Sequence, residues 1–180
     1  MSGTLIGGDE VNAIVLDVGT YQVKSGYAGE DTPKFVFPSA VGAGGESLSN
    51  GSDTMDVDTP SGRKIHVGTQ AMNFRRDGME VLSPFVDGII SDWEALEALW
   101  DHALKNQMRL TTEEHPMLLA EPSHNTPAAR EKMVELMFEK YNAPAVFLAK
   151  NAVLSSFATA RQTSLVVDVG HESTVGKSKF

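Results

Sequence analysis

The phrase Ile14-Val15-Leu16-Asp17-Val18-Gly19 returns about 150 residues later as Leu165-Val166-Val167-Asp168-Val169-Gly170. Each copy is a short apolar run closed by Asp-x-Gly, the pattern of a buried strand running into a tight turn. Such a turn brings successive backbone N–H groups toward an anion. The carboxylate beside them is placed to hold a hydrated divalent cation. A single copy occurs in many α/β domains. Two copies point to a duplicated domain with a nucleotide between its halves.

The chain between the copies reads as alternating strands and helices. Strands are expected at 12–17 and 22–28, joined by Gly19-Thr20-Tyr21 as a hairpin, and at Phe35-Val36-Phe37 before Pro38. From Gly42 to Gly62 only Leu48, Met55 and Val57 are larger apolar residues, too few to offset the entropy of ordering, so a mobile loop is expected. Its acidic run Asp53 to Asp58 lacks the Gly and distal Glu of a calcium loop. A strand resumes at Lys64-Ile65-His66-Val67. Ser91 and Glu94 then have capping-box spacing. Trp93, Leu96, Leu99, Trp100, Ala103 and Leu104 follow on one helical face, which makes both tryptophans core anchors. Met117 to Ala120 reads as a strand ended by Glu121-Pro122. Thr126-Pro127 opens a helix with Met133, Leu136, Met137 and Lys140 on one side. A strand at 145–149 and a helix at 152–160 lead into the second Asp-x-Gly phrase. The alternation predicts an α/β layered fold, a mixed sheet flanked by helices.

Composition narrows the function. A formal net charge of −9 disfavours a general nucleic-acid binder, which carries a basic patch. It suits basic partners instead. With no cysteine there is neither a disulfide framework nor a thiolate metal site. Met1 to Glu10 is not expected to be a signal peptide, and no apolar run approaches the roughly 20 residues that span a bilayer. Gly176-Lys177-Ser178 imitates a P-loop, but five residues separate Gly170 from Gly176 where the motif has four. The histidines at 66, 102, 115, 124 and 171 lack metal-ligand spacing. No Gly-x-Ser-x-Gly nucleophile elbow is present.

The run from Asp17 to Asp31, DVGTYQVKSGYAGED, resembles the first phosphate-binding hairpin of the actin superfamily. Further matches follow in order: Phe37-Pro38-Ser39, the segment Asp87 to Trp93, the segment Glu114 to Pro122, Arg130 to Met133, Met137-Phe138-Glu139 and Pro144-Ala145. The resemblance covers nearly all of residues 11–170. Gly7 to Val11, Tyr27 to Asp31, the Met55 to Asp58 insertion and Leu136 to Tyr141 are similar to one subfamily, the nuclear actin-related group numbered four. That resemblance implies an actin-like, ribonuclease-H-like ATPase fold. Residues 1–163 would form its first half, with the 42–62 insertion, and 164–180 would begin the second. It implies ATP with Mg as cofactor, a nuclear location with the cytoplasm as a second, and a non-catalytic role in chromatin-remodelling and histone-acetyltransferase complexes. The implied partners are actin, a helix of the remodeller ATPase, other complex subunits and histones. Sequence-specific nucleic acid and membranes are not expected partners.

By the same resemblance Asp17 and Asp168 hold the nucleotide's hydrated cation. Gly19, Thr20 and Tyr21 form the first phosphate loop, Lys24 reaches the phosphates, and Gly170 belongs to the second loop. Asn151 stands where actin has the glutamine that orients the attacking water. It is one methylene shorter, so actin-type hydrolysis is not expected. His171-Glu172 replace Asp-Gly, turning a negative charge toward phosphate, and Val175 replaces a cleft histidine. Val175 to Phe180 do not read as the expected return strand, which would leave Leu165 to Asp168 without a sheet. An actin fold needs a second half of comparable size. A fragment, a truncated isoform and a mispredicted gene model would all read this way, and the residues leave the three open. The rival readings are a conventional actin-type ATPase, a sugar or acetate kinase of the wider superfamily, and a product without activity of its own. No substrate-site motif supports the kinase.

Overall fold

The computed structural model describes residues 12–44, 56–58 and 63–179. Strand β1 (Ile14–Val18) turns into the antiparallel β2 (Gln22–Tyr27), which pairs with β3 (Phe35–Pro38). Strands β4 (Val41–Ala43), β5 (Asp56–Asp58), β6 (Lys64–His66) and β7 (Glu80–Leu82) form a second sheet in the order β5-β6-β4-β7. A short helix, α1 (Thr69–Asn73), lies between β6 and β7. Then come the small hairpin β8 (Phe85–Val86) and β9 (Ile89–Ile90) and the helix α2 (Trp93–Asp101). Strand β10 (Met117–Glu121) joins β1 in parallel on the side away from β2. After helix α3 (Pro127–Glu139), strand β11 (Val146–Lys150) lies parallel to β10. The main sheet is therefore mixed, ordered β11-β10-β1-β2-β3. Helix α4 (Asn151–Ala158) leads to the hairpin of β12 (Ser164–Val169) and β13 (Thr174–Lys179).

Period-two burial fixes the register of the central strands. Ile14 faces Met117 and Leu16 faces Leu119, and all four side chains are buried. Helix α2 buries Leu96, Leu99 and Trp100, and Trp93 packs on the same core partly buried, so both tryptophans anchor it. Beyond Asp101 the helix widens into π-helical turns from His102 to Gln107, which keep Ala103 and Leu104 inside. Thr126 caps α3 by accepting from the Ala129 N–H, with Pro127 at the first helical position, and Met133 and Met137 are buried.

Three readings are corrected. The cap of α2 is Asp92, whose carboxylate accepts from the Ala95 N–H at 3.1 Å. Ser91 is drawn away because its N–H and hydroxyl both donate to the Pro84 carbonyl. Arg63 further fixes Asp92 through contacts of 2.8 and 2.9 Å. Within the expected 42–62 loop, Gly42 and Ala43 belong to β4, and 56–58 form β5 against β6. The remainder, 45–55 and 59–62, lies outside the described residues. Finally, Thr174–Lys179 does return, pairing with β12 from Val169↔Thr174 to Ser164↔Lys179, so β12 is not left without a partner. Its Leu165, Val167 and Val169 nevertheless remain exposed.

His102 is buried in the π-helical turns, edge-on to Phe37 at 4.7 Å between ring centroids, with Nε2 3.1 Å from the Gln107 amide nitrogen. Burial lowers its pKa below the ordinary 6.5. Below pH 6.5 the unfolded chain therefore takes up a proton that the folded chain resists. This stability contribution is intact above that pH and lost as pH falls beneath it, at no more than about 1.4 kcal/mol per pH unit. Urea denaturation across this window is expected to show a steeper loss for the native chain than for His102→Gln.

Candidate functional site

Strand β1 ends by presenting Asp17, and the cross-strand position on β2 is Lys24. Their side chains meet, Lys24 Nζ lying 3.1 Å from Asp17 Oδ2. The pair is partly open to solvent and stabilises the fold little. What it does is place a cation and a carboxylate together at the end of a buried strand. The loop beyond closes through the Gly19 N–H, which donates to the Gln22 carbonyl at 3.1 Å. A Cβ on Gly19 would stand 3.3 Å from that same carbonyl oxygen. Ser39, fully buried after β3, holds the loop from behind. Its hydroxyl donates to the Gly19 carbonyl at 2.5 Å and its N–H to the Tyr21 carbonyl at 3.0 Å.

The second hairpin repeats this construction. Gly170 N–H donates to the Ser173 carbonyl at 2.9 Å, and a Cβ there would stand 3.2 Å from that oxygen. At both glycines a Cβ would crowd a carbonyl three residues on, and the duplication in sequence is a duplication in geometry. The difference lies across the strand, where Asp168 faces Val175 and not a lysine.

The two hairpins open onto one cleft of about 550 Å³. Asp17, Gly19, Thr20, Tyr21, Lys24, Asn151, Asp168 and Gly170, the eight residues selected from the sequence, all line it. Asn151 opens α4, and its side-chain oxygen is buried without a hydrogen-bond partner. This acceptor and the carboxylates of Asp17 and Asp168 line the same cleft, an all-oxygen chemistry of the kind that suits Mg2+ held partly through water. Among the described residues no three His, Asp or Glu side chains converge to hold a metal directly.

Other residues at or near the cleft were not among those eight. Asp87 and Gly88 form the β8–β9 turn with φ of 53° and 74°, a left-handed pair for which Asp-Gly is the ordinary signal. Glu172 reaches this turn, its Oε2 accepting from the Gly88 N–H at 3.0 Å. His171 lies against Tyr21, their rings 5.2 Å apart. His124 also lines the cleft, near the Asp87 carbonyl. Ser39 could have been suspected only from its place after Phe37-Pro38.

A mixed sheet with paired Asp-x-Gly hairpins around one cleft is the architecture of actin-like proteins. The chain belongs to the actin family, whose sequence profile matches residues 8–176. It is 53% identical over 189 aligned positions to Actin-related protein 4 of Oryza sativa subsp. japonica, an alignment that covers 95% of this chain and 42% of that protein. Actin-related protein 4 of Yarrowia lipolytica is 40% identical, over 92% of this chain and 38% of its own length. Actin-related protein 4A of Arabidopsis thaliana is 50% identical over 71% of this chain, and 94% of that shorter protein is covered. The chain therefore spans about two-fifths of the longer relatives.

Ser39→Ala is expected to cost about 1 kcal/mol in chemical denaturation, one partly buried hydrogen bond. It should also speed hydrogen exchange in the 19–21 loop more than in β10.

Proposed function

We propose that this chain supplies one wall of an ATP and Mg2+ site in a non-catalytic actin-related subunit of nuclear chromatin-remodelling and histone-acetyltransferase complexes. The observation that carries the nucleotide reading is the meeting of two identically closed hairpins, with Asp17 and Asp168, in one cleft. Asp17 and Asp168 would hold the cation through water. The loops at Gly19-Thr20-Tyr21 and Gly170 would meet the phosphates, and Lys24 would add a positive charge to them. The nucleotide would then act as a structural ligand between the two halves of the longer protein. Asn151 supports the non-catalytic part, because its amide extends one methylene less than the glutamine of actin. The chromatin assignment is supported by the likeness to proteins named Actin-related protein 4. The partners proposed with it are actin, the helix of a remodeller ATPase, further complex subunits and histones, in the nucleus and secondarily the cytoplasm.

The nucleotide reading is tested by calorimetric titration of the full-length protein with Mg-ATP. Asp17→Asn is expected to weaken binding by about tenfold or more, the effect of removing one carboxylate from a cation site. Turnover should be negligible in the native protein and measurable, if at all, only in Asn151→Gln. Turnover of the native protein at the rate of monomeric actin would favour the enzymatic reading.

The complex assignment is tested separately. Tagged full-length protein is expected to recover actin and a remodeller ATPase subunit from nuclear extract, and residues 1–180 alone to recover far less. Recovery of neither by the full-length protein would remove the chromatin assignment.

A further inference from the structure

We infer that one buried water is built into the fold behind the cleft, accepting from the Trp100 indole N–H and donating to the Glu121 carboxylate. Glu121 ends β10 and Trp100 lies on α2, and each is only 1% exposed. Glu121 Oε2 accepts from the Asn125 amide and from Arg130 Nε, both at 3.0 Å. Glu121 Oε1, equally buried, meets no donor among the described residues. Trp100 Nε1 meets no acceptor among them, so the two groups do not bond each other directly. The indole ring is held edge-on to Tyr141, at 5.9 Å between ring centroids. A donor and an acceptor left unmet in the interior would forfeit the hydrogen bonds that both make with water in the unfolded chain.

Both residues line one cavity of about 20 Å³. A single water needs roughly 10–15 Å³ of such space and at least two polar partners. The only other polar side chain on this wall, Asn125, is engaged at both ends: its amide nitrogen donates to Glu121, and its oxygen accepts from the Thr126 N–H at 3.0 Å. One donor and one acceptor therefore remain. Water meets both demands, whereas an anion would be set against Glu121 and a bare cation would leave the indole N–H unmet. Phe85, Gly88, Ala120 and Pro122 line both this cavity and the large cleft, which places the water directly behind the cleft wall. Glu121 is followed by Pro122, Ser123 and His124, which carry the chain along the cleft. The water ties the start of that loop to α2, as Arg130 ties it to α3.

The test is nuclear magnetic resonance of the full-length protein, isotope-labelled at the tryptophan nitrogens, with the Trp100 signal identified by its loss in Trp100→Phe. The Trp100 indole proton is expected to show a cross-peak at the water frequency, with the sign of direct contact and not of chemical exchange. In Glu121→Gln, which keeps an oxygen at the site, the cross-peak should persist and the indole resonance should shift as the acceptor loses its charge. In Glu121→Leu the cross-peak should be lost. Tyr141 carries another exchangeable proton, and Tyr141→Phe should leave the cross-peak in place. Absence of the cross-peak from the native protein overturns the inference, as does its loss in Tyr141→Phe. A cross-peak undiminished in Glu121→Leu overturns it too, because the carboxylate would not be holding the water. Where Glu121→Leu does not fold, an indole resonance unmoved by Glu121→Gln overturns the bridge on its own.

Discussion

Strand β1 takes a parallel neighbour on one edge and an antiparallel neighbour on the other, and the rest of the fold is hung on those two pairings. The parallel edge with β10 requires a long connection. That connection carries the second sheet, the β8–β9 turn and α2. The antiparallel edge with β2 requires only a short one, and that short connection is the Gly19–Tyr21 loop at the cleft. Both edges are held by the same buried side chains, Ile14 and Leu16, whose register with Met117 and Leu119 cannot slip by one residue without turning the core outward. Asp17 is the first residue beyond this locked pair. Its position is therefore set by packing and not by its own salt bridge, which is too open to position anything.

Features with a local cause were legible in the sequence. The first hairpin, the Thr126-Pro127 cap and the apolar face of α2 depend on residues close to one another, and each stands where the sequence pattern put it. All eight selected residues line one cleft, and four of them, Asp17, Gly19, Asp168 and Gly170, belong to the duplicated phrase. The features that escaped depend on distant partners. Val41–Ala43 is a strand because β6 and β7 flank it, and its Gly-Ala composition gives no warning. Asp56–Asp58, nearly all acidic, is a strand only by virtue of β6. The return strand β13 carries Gly176, Lys177 and Ser178, a poor strand sequence that pairing with β12 overrides. Ser91 lost the capping position to Asp92 because Pro84, seven residues earlier, holds it elsewhere.

The duplication is incomplete in a physically meaningful way. Hydrogen bonding at the two glycines is the same to within a few tenths of an ångström, so backbone shape is repeated faithfully. Electrostatics is not. One hairpin sets a lysine beside its aspartate, and the other sets a valine there and adds Glu172 at its tip. A fold can thus keep the symmetry of its main chain while its side chains differ from one hairpin to the other.

The β12–β13 ribbon has a consequence of its own. Two strands alone are marginal in water, and this ribbon shows Leu165, Val167 and Val169 to solvent. Its attachments are α4, through the Ser156–Ser164 hydroxyl contact at 2.7 Å, and the tip contacts to Tyr21 and Gly88. With few buried contacts in this chain, local opening of the ribbon is expected to cost less than unfolding of the five-stranded sheet. The cleft is lined by residues of both. Any ligand that bridges them draws its binding free energy against the local opening of the ribbon, so occupancy and the order of this segment rise and fall together.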